Sequence, residues 1–576
     1  MNGGAIIARI LKEQGVQYLF TLSGGHIAPI YVEAEKAGIR IVDVRHEASA
    51  VFAADAIFRL SGIPGVAAVT AGPGVTNAVT ALKNAQMAQS ALLLFGGATA
   101  TLLRNRGALQ DINQTGIVAT IVKWRAQVQR LRDLAATVRE GFRQAQQGVP
   151  GPVFLEAPVD LLYDEATVRE WYGQKNDPGR SLAAKLRYWY INRHVNRLFG
   201  GVSPYAPQPP RALVRPAIPP TALRRAVQTL QAARRPVLVL GSGALATPQD
   251  AAALAAAVRQ LGLPVFLSGM ARGLLGAADP LQCLHFRKKI LREADCIVLA
   301  GVSADFRLDY GRQLPKKAKL IALHLDKTDL HRNMPPCQVQ AIVNPAHFLI
   351  ELAKQNGAWP DWSDWKTLLS AYQADREIEI ARSADEPLQG INPVALCRAL
   401  DRLLPANSVL VADGGDFAAT AAYTLRPRKP LSWLDPGAFG TLGVGGGFAL
   451  GAALHYPDDY IWIIYGDGSA AFSLMEFDAF ARNRMKVCAI IGNNGAWEQI
   501  ARDQAPMLGA RTATDLALSD YHRVADAFGG AGERVESLPD FQKAVSNAIA
   551  AMDRGVPYII NAVIGKSEFR KGSISM

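Results

Sequence analysis

Short apolar runs alternate with amphipathic stretches in three parts of the chain. Residues 1–163 hold runs that predict strands at Tyr18–Leu22, Ile39–Val44, Val66–Thr70, Ala91–Phe95 and Pro152–Glu156. Runs in residues 221–357 predict strands at Pro236–Leu240, Pro264–Leu267, Cys296–Ala300 and Leu320–Leu325. Runs in residues 388–565 predict strands at Ser408–Ala412, Tyr460–Tyr465, Val487–Ile491 and Tyr558–Val563. Strands that alternate with helices form parallel sheets covered on both faces, so we expect an α/β protein with three doubly wound parallel-sheet domains, of which the first and third have related folds.

The segments between these domains have a different composition. In the connector 164–220, Leu182–Phe199 is aromatic and basic at helical spacing, and residues 200–220 contain seven prolines, which predicts a helix followed by an irregular linker. A helix of this composition is expected to lie on a membrane surface, to lie on a subunit surface or to pack on its own protein, and the sequence leaves these alternatives open. A second linker is expected at 358–387 and a polar tail at 566–576.

No segment is predicted to enter a membrane or a secretory route. Residues 1–17 form an amphipathic helix pattern rather than a signal peptide. Residues 436–457 have no charged side chain but contain seven glycines, which favours a buried loop leading into a helix over a span. The five cysteines are scattered and include no CxxC pair, which fits a reducing compartment. We therefore expect a cytoplasmic protein.

The composition narrows the range of partners. The chain has 576 residues, of which 49% are hydrophobic, so a large core is available. Its net charge of +12 favours anionic partners such as phosphorylated cofactors and coenzyme A (CoA) esters. Since there is no block of Lys and Arg, no zinc-finger spacing and no RNA-binding signature, nucleic acid is not an expected partner.

Two turn sequences in the third domain predict a metal and diphosphate site. The strand Tyr460–Tyr465 ends in Gly466–Ser469 (GDGS), and the next predicted strand ends in Gly492–Gly495 (GNNG). Asp467 and Asn494 are 27 positions apart, which suits a strand–helix–strand unit that returns both ends to one edge of a parallel sheet. Their side-chain oxygens, with the carbonyl of Ala496, suit Mg²⁺, and the glycines allow close approach of a diphosphate. Each sequence alone is more often a plain turn.

The GDG sequence, 24 intervening residues and the pair NN resemble the diphosphate motif of thiamine-diphosphate enzymes. Arg45-His46-Glu47, the run AGPGVTN at 71–77 and FGTLG at 439–443 are similar to the acetolactate synthase-like members. Stretches in all three domains are similar to the 2-hydroxyacyl-CoA lyases of that group, namely MARGLLG (270–276), ADFRLDYGR (304–312), WLDPGAFGTLGVG (433–445), SDYHRVAD (519–526) and FRKGSIS (569–575).

The resemblance implies cofactors, a site and an assembly. Thiamine diphosphate and Mg²⁺ are the expected cofactors, with a pyrimidine-binding domain at 1–163 and a diphosphate-binding domain at 388–565. Glu47 is the expected proton-exchanging acid for the pyrimidine ring, from across a subunit interface, so a homodimer or homotetramer is expected. Leu442 would bend the cofactor, and the carbonyl of Gly440 would accept a hydrogen bond from the cofactor's amino group. The other expected cofactor-binding residues are Gly72, Asn77, Gly414, Gly466, Asp467, Gly468, Ser469, Asn494 and Ala496.

The substrate residues are open to simpler interpretations. His26, Gln110 and Glu498 are candidate catalytic residues, or only caps and rim residues. In the central domain Gly241 and Gly243 of GSGALA, with Arg307 and Asp326, are candidates for binding ADP or the nucleotide of CoA, although a tight turn needs the same glycines and Asp326 suits a helix cap. Lys566 and Arg570 are candidates for pairing with CoA phosphates in a lid, or belong to a frayed terminus. The flavin pocket of acetolactate synthases is not recognisable, so FAD is not expected.

The expected reaction follows from these residues and this resemblance. It is a thiamine-diphosphate-dependent carbon–carbon cleavage or ligation of a small-molecule substrate, in which a 2-hydroxyacyl-CoA gives formyl-CoA and an aldehyde or ketone, or the reverse. One alternative is an acetolactate synthase-type carboligase acting on 2-oxo acids. Another is a cofactor-binding homologue without catalysis.

Overall fold

A computed structural model of the chain describes residues 2–173, 181–355 and 359–571. The chain divides into two compact units. The first comprises residues 1–58 and 63–214, and the second comprises residues 59–62 and 215–576. Three parallel sheets are present in the described residues, one in the first unit and two in the second.

The sheet of the first unit is parallel throughout, with strand order β2-β1-β3-β4-β6-β5. Its strands are β1 (Tyr18–Thr21), β2 (Arg40–Asp43), β3 (Gly65–Val69), β4 (Leu92–Ala98), β5 (Trp124–Gln127) and β6 (Pro152–Pro158). Every residue of β3, β4 and β6 is buried, because helices cover both faces of a parallel sheet.

The helices of this part of the chain connect and cover those strands. They are α1 (Gly3–Glu13), α2 (Ala28–Lys36), α3 (Glu47–Ser61), α4 (Pro73–Asn77), α5 (Val79–Met87), α6 (Gln114–Ile117), α7 (Leu131–Gln146), α8 (Val159–Leu162), α9 (Glu165–Trp171) and α10 (Leu182–Phe199). The apolar stripe of α1, with Ile7, Ile10 and Leu11, packs in one core with Phe142 of α7 and Leu155 of β6. The helix predicted at Leu182–Phe199 is α10, and residues 202–219 after it form no helix or strand.

The first sheet of the second unit has the order β11-β10-β9-β7-β8. Its strands are β7 (Pro236–Leu240), β8 (Val265–Leu267), β9 (Cys296–Ala300), β10 (Lys319–His324) and β11 (Val339–Ile342). The accompanying helices are α11 (Pro220–Gln231), α12 (Ala251–Leu261), α13 (Arg287–Glu293), α14 (Lys327–His331), α15 (Pro345–Ala353) and α16 (Ser363–Asp385). The predicted linker 358–387 is thus mostly the long helix α16.

The last sheet repeats the topology of the first. Its strands are β12 (Ser408–Ala412), β13 (Trp433–Leu434), β14 (Tyr460–Gly466), β15 (Val487–Asn493), β16 (Ala531–Val535) and β17 (Tyr558–Val563). Their order is β13-β12-β14-β15-β17-β16, which is the order of the first sheet when each set is numbered from its own first strand. The expectation that the first and third domains have related folds is therefore confirmed.

The helices around the last sheet are α17 (Pro393–Leu403), α18 (Asp416–Thr424), α19 (Val444–His455), α20 (Asp467–Ala470), α21 (Phe477–Arg482), α22 (Glu498–Leu508), α23 (His522–Ala527) and α24 (Leu538–Asp553). The uncharged segment 436–457 is a loop that leads into α19, as predicted, and α19 is buried from Val444 to Leu454. In the part of the chain that the structure describes, no helix is both long and apolar enough to cross a bilayer.

Candidate functional site

The ends of three neighbouring strands form the centre of the site in the second unit. Strands β14 and β15 pair in parallel with Gly466 opposite Gly492, so Asp467 and Asn494 follow at the same edge of the sheet. The strand order changes direction between β12 and β14, and the loop after β12 lies at the same edge. Ligands of open α/β sheets bind at such a change of direction, beyond the carboxyl ends of the strands.

Asp467 is buried where β14 ends and the short helix α20 begins. Its Oδ1 atom accepts a hydrogen bond from the backbone N–H of Gly468 at 2.8 Å, and its Oδ2 atom accepts one from Ala496 at 3.1 Å. Burial raises the pKa of Asp467, and these backbone donors oppose the rise. No cluster of three or more His, Cys, Asp and Glu side chains exists among residues 2–173, 181–355 and 359–571, so Asp467 needs amide and carbonyl oxygens beside it to complete a cation site.

A second buried carboxylate, that of Asp413, holds the glycine-rich loop before α19. Its two oxygens accept hydrogen bonds from the backbone N–H of Gly443 at 3.0 Å and of Gly445 at 2.7 Å. Burial raises the pKa of Asp413 to about 7, against the lowering effect of these donors. The sequence does not reveal these two contacts, because a hydrogen bond over 30 positions leaves no local pattern.

The same loop carries Gly440 and Leu442. Gly440 adopts a φ of +64°, a conformation that favours glycine. Leu442 lies directly over Gly414, since a β-carbon at residue 414 would be 2.4 Å from the Cδ2 atom of Leu442. The close approach of the two residues fixes the position of the Leu442 side chain above the end of β12.

One cavity of about 790 Å³ brings the predicted residues of the second unit together. Its lining includes eleven of them, namely Arg307, Gly414, Gly440, Leu442, Gly466, Asp467, Gly468, Ser469, Asn494, Ala496 and Glu498. We call this space the diphosphate cavity.

Glu498 is the candidate acid in the diphosphate cavity. Its side chain is 11% exposed, and its Oε2 atom is 4.0 Å from Nη2 of Arg511. That oxygen accepts no hydrogen bond from any residue that the structure describes. Burial raises the pKa of Glu498, although Lys566 and Arg511 lower it in part. A carboxyl group of this kind holds its proton to higher pH than an exposed one and suits proton transfer.

The predicted residues of the first unit form a second group. Glu47 is the first residue of α3, is buried, and accepts a hydrogen bond from Nδ2 of Asn77 at 2.9 Å. Gly72 packs against Gln110, because a β-carbon at residue 72 would be 2.9 Å from the carbonyl oxygen of Gln110. Gln110 itself has a φ of +63°.

A glutamine that the sequence did not reveal joins the loops of this group. The buried Gln114 accepts a hydrogen bond from the N–H of Gly72 at 3.2 Å and donates one to the carbonyl of Gly97 at 2.7 Å. His26 lies across Gly97, and its Nδ1 atom is 3.1 Å from Oγ1 of Thr70. Burial lowers the pKa of His26, which favours the neutral ring.

A second cavity of the second unit, about 550 Å³ in volume, is strongly basic. Its cationic lining residues are Arg272, Arg287, Lys288, Arg398, Arg402 and Arg426, and its acidic ones are Glu377 and Asp401. Ser268, Gly269, Arg272 and Ala422 line this basic cavity and also the diphosphate cavity. The two cavities therefore adjoin.

Glu377 organises one wall of the basic cavity. It contacts Nε2 of His285 at 3.1 Å, Nη2 of Arg426 at 2.6 Å and Nη1 of Arg398 at 3.2 Å. The hydrogen bond from His285, together with Arg426, lowers the pKa of Glu377 to about 2. Burial lowers the pKa of Arg272 to about 10. Because Glu377 is the one acid shared by Arg398 and Arg426, this wall keeps a surplus of positive charge.

Of the two alternatives for GSGALA, a nucleotide site or a tight turn, the local structure favours the tight turn. Ser242–Leu245 is a single 3-10 turn, and the α-helix after it begins only at Ala251, so the expected strand-to-helix phosphate loop is absent there. Gly241 and Gly243 instead give room for the backbone of Gly301, since β-carbons there would lie 2.5 Å from its carbonyl oxygen and 2.9 Å from its Cα atom. Asp326 caps α14 by accepting from the N–H of Thr328 at 2.7 Å.

The described part of the tail folds back on the second unit. Phe569 packs edge-on against Tyr423, with ring centroids 5.6 Å apart, and the guanidinium of Arg570 is 5.7 Å from the same ring. Tyr423 lines the basic cavity, so the tail covers part of its wall, whereas Lys566 is exposed. Residues 572–576 of the predicted lid lie outside the described residues.

Comparison with known proteins identifies the family. The models of the thiamine pyrophosphate enzyme N-terminal, central and C-terminal domains match residues 1–117, 223–352 and 413–562. The chain is 46% identical over its whole length to 2-hydroxyacyl-CoA lyase 2 of Danio rerio, covering 93% of that protein, and 45% identical to that of Homo sapiens, covering 92%.

A more distant relative belongs to the synthases. The acetolactate synthase large subunit of Mycobacterium tuberculosis is 32% identical over 98% of this chain and 96% of its own length. Both groups of relatives extend over all three sheets, and each of the three family models matches part of one sheet. With the two strand-end turns and the buried Glu47, these matches confirm the resemblance drawn from the sequence, and the chain belongs to the family of thiamine-diphosphate-dependent enzymes.

Proposed function

We propose that this chain is a 2-hydroxyacyl-CoA lyase that uses thiamine diphosphate and Mg²⁺. The observation that carries the proposal is the 45–46% identity to 2-hydroxyacyl-CoA lyases along the entire chain, against 32% to an acetolactate synthase. In the reaction, the bond between C1 and C2 of the acyl group breaks. The C2 hydroxyl loses its proton and C2 leaves as an aldehyde or ketone, while C1 gains a proton and leaves as formyl-CoA.

The residues of the diphosphate cavity fit the cofactor. Gly414, Gly466 and Gly468 leave backbone without side chains along its wall, where a diphosphate needs close approach. Asp467 keeps free lone pairs on both oxygens after accepting its two backbone hydrogen bonds, and Asn494 and Ala496, which carry an amide oxygen and a backbone carbonyl, line the same cavity. These three groups would hold Mg²⁺ against the diphosphate. When bound, thiamine diphosphate supplies the carbon nucleophile and the electron sink.

The protein's own residues then control protons and orientation. Asn77 donates a hydrogen bond to the Oε2 atom of Glu47 and so orients this carboxyl group. The other oxygen of Glu47 would then hold a proton against the pyrimidine ring. Glu498 would accept the proton of the substrate hydroxyl, because burial raises its pKa and leaves Oε2 without a hydrogen bond from the described residues. Leu442 would set the conformation of the cofactor from its fixed position over Gly414.

The basic cavity is the proposed site for the phosphates of CoA. It adjoins the diphosphate cavity through Arg272, so a thioester could extend from one to the other. Its lining holds six Lys and Arg residues and two acids, and guanidinium groups are well suited to phosphates. Arg570 would contribute from the tail. ADP at the GSGALA turn and FAD are not part of this proposal.

The proposed assembly is at least a homodimer, in which Glu47 of one subunit serves the diphosphate cavity of another. Mixing Glu47→Gln subunits with Asp467→Ala subunits tests it. If the site is shared, mixed dimers regain one intact site and activity returns after exchange of subunits. If each chain forms its own site, the mixture stays as inactive as either variant alone.

A direct assay tests the reaction. The protein is incubated with thiamine diphosphate, Mg²⁺ and a 2-hydroxyacyl-CoA, and formyl-CoA and the carbonyl product are followed by mass spectrometry, with pyruvate in a parallel reaction. Formyl-CoA with stoichiometric aldehyde supports the lyase. Acetolactate alone assigns the chain to the synthases instead, and no product from either substrate, with the cofactor bound, favours a non-catalytic homologue.

A further inference from the structure

The helix α10 exposes large apolar side chains that no core accounts for. Leu182, Leu186, Trp189 and Tyr190 are between 52% and 75% exposed. They are spaced by four, three and one positions, so they lie on one side of the helix. We call them the apolar face of α10. Exposed apolar groups in a contiguous patch indicate an interaction surface.

The opposite side of α10 fixes the helix to its own unit. Ile191, Val195 and Leu198 are buried. Nη1 of Arg169 donates to Oδ1 of Asn192 at 2.9 Å, and Nη2 donates to Oδ1 of Asn196 at 2.7 Å.

A buried acid reinforces this attachment. Nε2 of His194 lies 2.8 Å from Oγ1 of Thr101, which in turn donates to the buried Asp160 at 2.5 Å. Because α10 is held on this side, it cannot rotate to bury its apolar face. The exposure is therefore a stable property of the folded protein.

The charged residues of α10 itself are all basic. Lys185, Arg193 and Arg197 continue the same side of the helix, and the guanidinium of Arg193 is 5.3 Å from the centre of the Trp189 ring. The helix has no acidic residue. Residues 178–249 contain 11 Lys and Arg and no Asp or Glu, which leaves 51 basic against 50 acidic residues in the rest of the chain. Residues 178–249 therefore account for +11 of the net charge of +12.

We propose that α10 docks the protein on the surface of an anionic lipid bilayer. Leu, Trp and Tyr side chains enter the boundary between headgroups and acyl chains, while Lys and Arg side chains remain at the level of the phosphates. A second copy of the chain is a less suitable partner for this face. If two α10 helices packed face to face, their basic residues would repel each other. The contact lies on the surface and needs no membrane-spanning helix, and the proposal does not depend on the proposed reaction.

Vesicle flotation of the full chain tests this docking. Vesicles of phosphatidylcholine with about 30% phosphatidylserine are compared with phosphatidylcholine alone. The wild type should float with the anionic vesicles and be released by high salt, which screens the basic residues. Leu186→Ser with Trp189→Ser should lower binding at least about tenfold. Lys185→Glu with Arg193→Glu should abolish the preference for anionic vesicles.

A matched control is available on α16, where Ile378 is 52% exposed and Arg382 is exposed four positions later. Ile378→Ser with Arg382→Glu should bind like the wild type. Each altered residue of α10 is exposed, and unchanged near-ultraviolet circular dichroism verifies folding. Absence of wild-type flotation, or equal flotation of the apolar-face variant, overturns the proposal. So does a fall in oligomer mass of that variant in sedimentation, which would make the face a contact between copies.

Discussion

The Oδ2 atom of Asp413 accepts a hydrogen bond from the backbone N–H of Gly445 at 2.7 Å. This contact joins the end of β12 to the start of α19, 32 positions away. Leu442 and Gly440 lie in the loop that it closes, so a single buried carboxylate positions two residues of the diphosphate cavity.

Asp413→Asn should loosen that loop. An amide can accept from only one of the two backbone donors, and leaving the other buried N–H without an acceptor costs enough that we expect about a tenfold loss of thiamine diphosphate affinity. Titration calorimetry in the presence of Mg²⁺ measures it. Unchanged affinity would show that the loop is held by packing alone.

The effect of Asp413→Asn on the unfolding free energy should depend on pH. The folded-state pKa of Asp413, about 7, is above its ordinary value of 3.8, so between these values the folded protein keeps a proton that the unfolded chain releases. The stability contributed by this proton is complete below about pH 4 and is lost as the pH rises through about 7. The difference in unfolding free energy between wild type and Asp413→Asn, from urea denaturation without cofactor, should therefore shrink from about pH 5 to about pH 8.

Asp467→Asn should remove metal binding at the diphosphate cavity. The substitution keeps the size of the side chain but removes the charge that a hard cation requires, so Mg²⁺-dependent binding of thiamine diphosphate should fall by about a hundredfold or more. Calorimetry with and without Mg²⁺ separates the metal from the cofactor. Asp458→Asn is a matched control, because Asp458 is exposed beyond the opposite end of β14. Equal losses in both variants would contradict the assignment.

The sequence predicted every interior strand and missed four of the six edge strands. The thirteen predicted strands are present, whereas β5, β11, β13 and β16 were not predicted, and all four are edge strands of their sheets. An edge strand is partly exposed and needs no continuous apolar run. Trp124–Gln127 and Ala531–Val535, for example, carry charged or polar residues and are only partly buried.

In the candidate site, too, the sequence located residues that belong to a local motif and missed those that only tertiary packing brings together. Asp467, Asn494 and Glu47 follow strands and have their motif around them, so the sequence alone located them. The basic cavity could not be predicted, because Arg272, Glu377 and Arg426 come from three separate segments and meet only through tertiary packing. The role of Gly241 and Gly243 stayed open at the sequence level for a related reason, since close packing against Gly301 requires the same residues as a phosphate loop.

Glu47→Gln should strongly reduce turnover without preventing the binding of thiamine diphosphate. The glutamine Oε1 atom can still accept from Asn77, but it cannot exchange a proton, so turnover of the 2-hydroxyacyl-CoA should fall by about a hundredfold or more with thiamine diphosphate still bound. Rates and calorimetry on the same sample test both parts. Glu35→Gln, at an exposed position of α2, is the control that should retain full activity.

Glu498→Gln should change the pH profile. If the carboxylate accepts the hydroxyl proton, wild-type kcat rises as Glu498 loses its proton, at a pH above the ordinary range because burial raises its pKa. The variant should have a kcat lower by about a hundredfold and without this rise. Glu536→Gln, which is exposed, should leave the profile unchanged. A rise at the same pH in Glu498→Gln would assign it to another group.

Arg402→Ala tests the basic cavity without disturbing its ion pairs, because Arg402 lines the cavity while Arg398 and Arg426 hold Glu377. Loss of one guanidinium–phosphate contact should raise the KM for a 2-hydroxyacyl-CoA about tenfold with little change in kcat. The matching pantetheine thioester lacks the nucleotide phosphates, so wild type and variant should have the same KM for it. Arg382→Ala, exposed on α16, controls for a general effect of charge. Equal effects of Arg402→Ala on the CoA and pantetheine substrates would show that the phosphates bind elsewhere.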